Sequence, residues 1–230
     1  MCMTISRLQL IVVLLAPLAG MGCGRATAAG PQEPAPAASS RDAEFEAIFR
    51  ARVDSARLRF TDADVKFMNA MIHHHAQALE VSRLAPTHGA SPSIQTLAAR
   101  IINAQKDEIA TMQQWLRDRD QPVPEVHVME SAVMVHGAAH PMDMPGLLTP
   151  KQIRELDAAR GPAFDRLFLT LMIEHHRGAV TMVHELFATD GAGQDEDAFR
   201  LAADIQVDQV TEVARMEQML SAMETGGRSR

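Results

Sequence analysis

Apolar residues recur at three- and four-residue spacing through most of this chain, a pattern that predicts one helix after another. A first amphipathic stretch runs from Asp42 to about Arg57, with Phe45, Ile48, Phe49 and Val53 on one stripe. Thr61 opens a second helix, with Asp64 three residues on in the capping-box position, and this helix continues to about Leu84. Ser91 followed by Pro92 starts a third, since proline is preorganised for the first helical position. Its apolar stripe (Ile94, Leu97, Ile101, Ile109, Met112, Trp115, Leu116) extends the helix to about Arg119. Residues 120–148 hold four prolines and no sustained period, and read as a long loop. Thr149 and Pro150 begin a short helix that stops at Gly161. A long helix then covers about Pro162 to Ala188, the turn residues Asp190 to Gly193 break it, and a last helix spans about Glu196 to Met223.

One helical phrase occurs twice. Residues 67–82 read FMNAMIHHHAQALEVS and residues 168–183 read FLTLMIEHHRGAVTMV. The helix that follows each copy also repeats: Gln105, Glu108, Ile109, Met112 and Leu116 match Gln209, Glu212, Val213, Met216 and Leu220. The first pair of helices is offset by 101 residues and the second by 104, so the copies differ by three residues within the hairpin connection. Two helical hairpins related by a pseudo-twofold axis make a four-helix bundle, the simplest way to bury four apolar stripes. The expected fold is therefore all-α, with a short N-terminal helix and a long central loop added to that bundle.

Successive helical residues point about 100° apart, so His73, His74 and His75 cannot all face one site. The apolar stripe runs through Phe67, Met71, Ala78 and Val81, and Met71 lies one turn before His74 and His75. Met172 stands in the same relation to His175 and His176, while His73 aligns with Glu174 and is expected to face outward. One such histidine would read as a core-edge residue satisfied by a neighbouring helix. A pair that recurs beside a Met in both halves points to metal, because imidazole suits copper and zinc while thioether selects Cu(I). Gln105, Glu108, Gln209 and Glu212 are then expected to hydrogen-bond the histidines from the facing helices. Met112, Met182, Met216 and Met219 sit at core spacing and read as packing.

The loop concentrates the same side chains: His127, Met129, Met134, His136, His140, Met142 and Met144. Polar loops rarely gather Met with nothing apolar to pack against, so metal capture is the reading favoured over an incidental Met content. A carboxylate-bridged di-iron oxidase would need Glu-x-x-His on two helices, and no such motif occurs. No nucleophile triad, phosphate loop or HExxH zinc motif is present either, so no enzyme activity is assigned.

Composition narrows the setting. The formal charge of −7, with scattered basic residues, gives no electrostatic case for nucleic acid and favours cations as partners. Residues 1–22 carry Arg7 and then an apolar run from Leu8 to Leu18, the pattern of an export signal too short to span a bilayer permanently. Gly22-Cys23-Gly24 resembles a lipoprotein junction, with Cys23 lipidated; cleavage at Ala26-Thr27-Ala28 is the rival. Lipidation is favoured because residues 23–40 are an Ala/Pro-rich tether. The folded domain, residues 41–230, then contains no thiol. That suits an oxidising compartment, where thiols are lost to disulfides and thioethers persist.

The phrases FMNAMIHHHAQAL, IINAQKDEIATMQQWL and FDRLFLTLMIEHHRGAVTM together resemble the CopM-like family of exported domains, domain of unknown function 305, over about residues 60–222. The resemblance implies a ferritin-like four-helix bundle and periplasmic binding of copper or silver with a role in copper tolerance. It points to Met71, His74, His75, Met172, His175 and His176, and less directly to the loop. The expected protein is thus a binding protein for Cu(I), with Ag(I) and Cu(II) as further cargo. It would sit in the periplasm or cell envelope, anchored at Cys23, with other copper-handling envelope proteins as partners. A metal-free interaction module of the envelope is the alternative, and a ferritin-like oxidase a weaker one.

Overall fold

The computed structural model describes residues 40–57, 59–129, 133–137 and 144–227. The segments expected as leader and tether, with Cys23, lie outside the described residues, as do His140 and Met142. The chain divides at Ala43–Glu44, and the unit from Glu44 onward holds every element except the first residues of the N-terminal helix.

Six helices and one small hairpin follow in order: α1 (Ser40–Arg57), α2 (Asp62–Ser82), α3 (Pro92–Arg117), β1 (Glu125–Val128), β2 (Val133–His136), α4 (Pro150–Ala158), α5 (Gly161–Phe187) and α6 (Glu196–Gly227). The starts obey the expected chemistry. Thr61 and Asp64 close a reciprocal capping box on α2, and Thr149 with Gln152 closes another on α4. Pro92 stands at the start of α3, although Ser91 makes no side-chain cap there. The backbone N–H of Ser91 instead donates to Asp165 on α5.

That contact has a twin. Asp64 on α2 accepts from the backbone N–H of Gly193 at 2.7 Å, in the turn before α6. Asp64 and Asp165 are 101 residues apart, the offset of the two His helices, so each half clamps the turn that launches the other half's second helix. The four long helices pack in a ring, with α2 against α3 and α5, and α6 against α3 and α5. Apolar residues from the start of α2 pack with the end of α5, and those from the start of α3 with the end of α6. Every neighbour is therefore antiparallel, and the segment from Asp118 to Arg160 must travel the length of the bundle. That single long crossover is the ferritin-like way of joining two hairpins.

Three expectations change. The crossover is not uniform loop: β1 and β2 pair antiparallel, with His127 opposite Met134 and Glu125 opposite His136. His73 does not face solvent; it is buried on α2 beneath the hairpin, and its Nδ1 donates to the Asn69 carbonyl one turn back. The first stretch forms helix α1, but its Phe45, Ile48 and Phe49 are exposed, Phe45 to 69% and Phe49 to 67%.

One end of the bundle is locked by a buried ion pair. Asp195 caps α6 by accepting from the Ala198 N–H and also accepts from Trp115 Nε1 and Arg119. Burial pushes its carboxyl up, but the hydrogen bonds from Trp115 and Arg119 outweigh that and hold it below the usual carboxylate range. Arg119 also stacks over the Trp115 ring, 4.3 Å from its centre. Removing one partner of a buried pair strands the other charge at a cost of about 3–5 kcal/mol. Arg119→Met is therefore expected to lower the urea midpoint by that free energy with little change in the slope, and a loss below about 1 kcal/mol would contradict the role of this pair.

Candidate metal centre

The two His helices cross at their histidines. The rings of His74 and His175 stack with centres 3.8 Å apart and planes inclined by 35°. His74, His75, His175 and His176 are buried, as are Gln105 and Gln209 on the facing helices. None of these six belongs to either apolar cluster of the core. One cluster takes Phe67, Met71, Ile109, Met112, Met182 and Ile205; the other takes Ala78, Ile94, Ile101, Phe168, Met172 and Met216. On every helix the histidine or glutamine lies between residues of the two clusters, so a single polar layer divides the hydrophobic core at mid-bundle.

Each imidazole spends the same nitrogen on the protein. His75 Nε2 lies 2.5 Å from Glu108 and His176 Nε2 lies 2.8 Å from Glu212, one pair in each half. His74 Nε2 donates to the Pro145 carbonyl and His175 Nε2 to the His74 carbonyl, both at 3.1 Å. A carbonyl only accepts, so His74 and His175 carry their proton on Nε2. Nδ1 is buried and has no hydrogen-bond partner on all four rings. A metal-binding histidine ordinarily donates its other N–H to a carboxylate or a backbone carbonyl, which fixes the tautomer and aims the free lone pair. The four rings have that arrangement.

Burial above all, and then the proximity of His75, lowers the pKa of His74 from its ordinary 6.5 to about 3. Burial followed by His74 moves His175 well down in the same direction. Both rings are therefore neutral, with the lone pair available, over the physiological range. Outside the layer, Glu108 and Glu212 surround Asp208, whose carboxyl is raised first by its own desolvation and then by these neighbours. This acidic rim between α3 and α6 favours cations.

The crossover closes the layer from one side. Pro145 and Gly146 lie against α5 so closely that a Cβ on Gly178 would collide with the Pro145 carbonyl. A Cβ on Gly146 would meet the Glu174 carbonyl at 2.7 Å, and Gly146 also adopts a positive φ of 72°. On the other side Gln77 holds the same strap through both amide atoms, donating to Leu148 O at 3.0 Å and accepting from Leu148 N at 2.7 Å. Gly178 is the repeat counterpart of Gln77. The duplicated helices thus differ where the strap needs a grip on one and clearance on the other.

The sequence candidates divide as follows. The four histidines and both glutamates come together. Met71 and Met172 are fully buried one turn from the layer, on opposite sides of it. Gln105 and Gln209 lie in the layer but do not hydrogen-bond the histidines; both amide atoms of Gln105 and Oε1 of Gln209 are buried without a partner. Among the described loop candidates, Met144 alone reaches the core, beside Met182. His127, Met134 and His136 are exposed on the hairpin and Met129 is exposed just beyond β1. Asp64, Asp165, Gly178 and the Pro145 carbonyl were missed as supports of the site. The 101-residue offset of the two aspartates was a signal in the sequence; the carbonyl had none. Among the described residues, no three of His, Cys, Asp and Glu gather as a cage. Further side-chain donors beside the layer are the thioethers of Met71 and Met172 and the unpartnered amide oxygens of Gln105 and Gln209.

The family model described as Domain of unknown function (DUF305) matches residues 64–220, and the chain belongs to that family. Among solved structures it is similar to a DUF305 fragment from Deinococcus radiodurans, with 26% identity and a TM-score of 0.59, over 71% of this chain and 98% of that one. It is similar to a DUF305 protein of Streptomyces coelicolor, named as a secreted one, with 26% identity and a TM-score of 0.57, over 70% and 94%. CopM in its Cu(I)-bound form matches with 28% identity and a TM-score of 0.52, over 69% and 96%. No curated protein matches the chain.

The lowered pKa values of His74 and His175 have a thermodynamic consequence. Unfolded, these rings protonate near 6.5, so below that pH, and down to about 3 for His74, the unfolded chain holds more protons than the folded one. Stability is therefore lost as the pH falls through this window, with a slope approaching ~1.4 kcal/mol per unit for each ring. Urea midpoints measured from pH 7 to pH 4 are expected to fall, and the double variant His74→Gln, His175→Gln to show a flatter dependence. An unchanged slope in that variant would mean the two rings are not held neutral.

Proposed function

We propose that this protein is an exported copper-binding protein that sequesters Cu(I), with Ag(I) and Cu(II) as alternative cargo, in the mid-bundle layer. The observation that carries the reading is the set of four buried imidazoles whose Nε2 protons are held by protein oxygens while every Nδ1 is unpartnered. His74, His75, His175 and His176 supply the nitrogen donors, and Met71 and Met172 the sulfur donors from the adjoining turns. Glu108 and Glu212 hold His75 and His176 in the binding tautomer. The thioethers of Met71 and Met172 beside the imidazoles favour a soft monovalent ion over zinc or iron. CopM, solved with Cu(I), Cu(II) and Ag, supports the choice of metal. The leader-like residues 1–22 and the secreted relative support export. No helix among the described residues is long and apolar enough to cross a membrane. On this reading a lipid at Cys23 would be the attachment, and copper tolerance the cellular role.

Holding ions away from other reactions asks for a buried site, and the burial of the four histidines supports that reading. The exposed Phe45, Ile48 and Phe49 on α1 favour a second reading, an interaction module of the envelope that binds no metal. Melting with and without copper separates the two, because a ligand of the native state must raise the midpoint by mass action, about 2.7 kcal/mol at a hundred times Kd.

Competition titration of the purified protein with a chromophoric Cu(I) chelator is expected to give saturable binding. Glu108→Gln and Glu212→Gln should each weaken it about 10–100-fold, the usual effect of removing a carboxylate that orients a ligating histidine. A protein that takes up neither Cu(I) nor Cu(II) would end the proposal.

A further inference from the structure

The hairpin on the crossover collects donors of the same kind at a separate place. Strand residues alternate faces; burial alternates throughout β2, and in β1 it does so up to Val128, which is 42% exposed at the strand's end. Val126 and Val133 pack against the core, and Val135 faces α2 across a pocket lined by His73, Ala76 and Gln77. Glu125, His127, Met134 and His136 are all exposed on the opposite face. His127 stands directly across from Met134, and His136 directly across from Glu125. Directly opposed side chains have Cβ atoms about 4.5–5.5 Å apart, within reach of one shared ligand.

The ring geometry suits a shared ion. The imidazoles of His127 and His136 have centres 5.5 Å apart and planes inclined by 58°, so they are angled and not stacked. Two rings bound to one ion at nitrogen distances of about 2.0–2.1 Å place their centres roughly 5–6 Å apart. The Glu125 carboxylate lies 3.4 Å from His127 Nε2, where it can orient that ring. Met134 is 42% exposed, an apolar side chain left in water between two imidazoles. Packing gives no account of it.

We propose that the outer face of the β1–β2 hairpin is a second, surface site for a soft monovalent cation, held by His127, Met134 and His136 with Glu125 as the positioning carboxylate. It rests on the soft-metal reading of the protein but not on the bundle residues. The valines that anchor the hairpin turn its donors away from the mid-bundle layer, so the two sites fill independently. The thioether decides the metal class, since no third hard or borderline donor gathers there among the described residues.

The test uses Ag(I), a soft ion without redox chemistry, added to the full chain labelled with ¹³C at the methionine methyl groups. The Met134 methyl signal is expected to shift on a separate isotherm from those of Met71 and Met172. Native mass spectrometry should show one Ag(I) fewer per chain in the triple variant His127→Gln, Met134→Leu, His136→Gln, with the bundle signals still responding. These positions are exposed, so the variant should fold, and its circular dichroism should match the unsubstituted chain. A Met134 methyl that does not respond to Ag(I), or a triple variant with unchanged stoichiometry, overturns the hairpin site and leaves the bundle reading intact. If Met134 responds while Met71, Met172 and the His74→Gln, His175→Gln variant reveal no bundle binding, the bundle reading falls and the hairpin site stands.

Discussion

Burying four imidazoles in the middle of a hydrophobic core is the constraint around which this bundle is arranged. A buried polar group without a partner costs about 1–3 kcal/mol, and a charged ring far more. The helices meet that demand in two ways. Burial keeps His74 and His175 neutral, and each ring gives one N–H to an oxygen that a neighbouring segment delivers. Within this layer the same atom stays unsatisfied four times, Nδ1, together with both amide atoms of Gln105 and Oε1 of Gln209. A core selected for stability alone would replace such a layer with leucine and isoleucine.

The duplication explains why the layer is symmetric in its outer pairs and asymmetric at its centre. His75–Glu108 and His176–Glu212 repeat one contact, as do the Asp64 and Asp165 clamps on opposite turns. At the crossing point a true twofold would pair each inner histidine with the other's backbone. His175 does reach the His74 carbonyl, but His74 turns to Pro145 because the crossover strap occupies that side. Only one connection runs the length of the bundle, so only one half can be covered by it. Gln77 and Gly178 are where the two copies record that difference.

The hairpin and the strap together give the crossover two jobs. Its later part, Met144 to Leu148, is buried at both ends and half-buried between them, and it closes the histidine layer. Its earlier part stands on valines and holds His127, Met134 and His136 outward. Among the described residues, the Met and His side chains of this segment therefore divide between core and surface. Met144 joins the core beside Met182, and the exposed three share a strand face.

Most of the architecture was legible in the chain. Helical periodicity, caps at Thr61 and Thr149, and the repeated Met-Ile-x-His-His phrase give the helices, their pairing and the choice of two histidines per copy, because side-chain direction on a helix follows directly from spacing. The Glu108 and Glu212 partners were legible for the same reason. The hairpin was not: Glu-Val-His-Val and Val-Met-Val-His alternate with period two, but four residues are too few to stand out beside four prolines. His73 misled because helical phase places it off the main stripe, and only the hairpin packing above it makes that side of α2 an interior. Which nitrogen each imidazole frees, the strap over Gly178, and the split of the loop donors between core and surface depend on contacts between residues 70 to 130 apart in sequence. Local pattern carries the elements and their faces; such distant contacts exist only once the crossover has been laid along the assembled bundle.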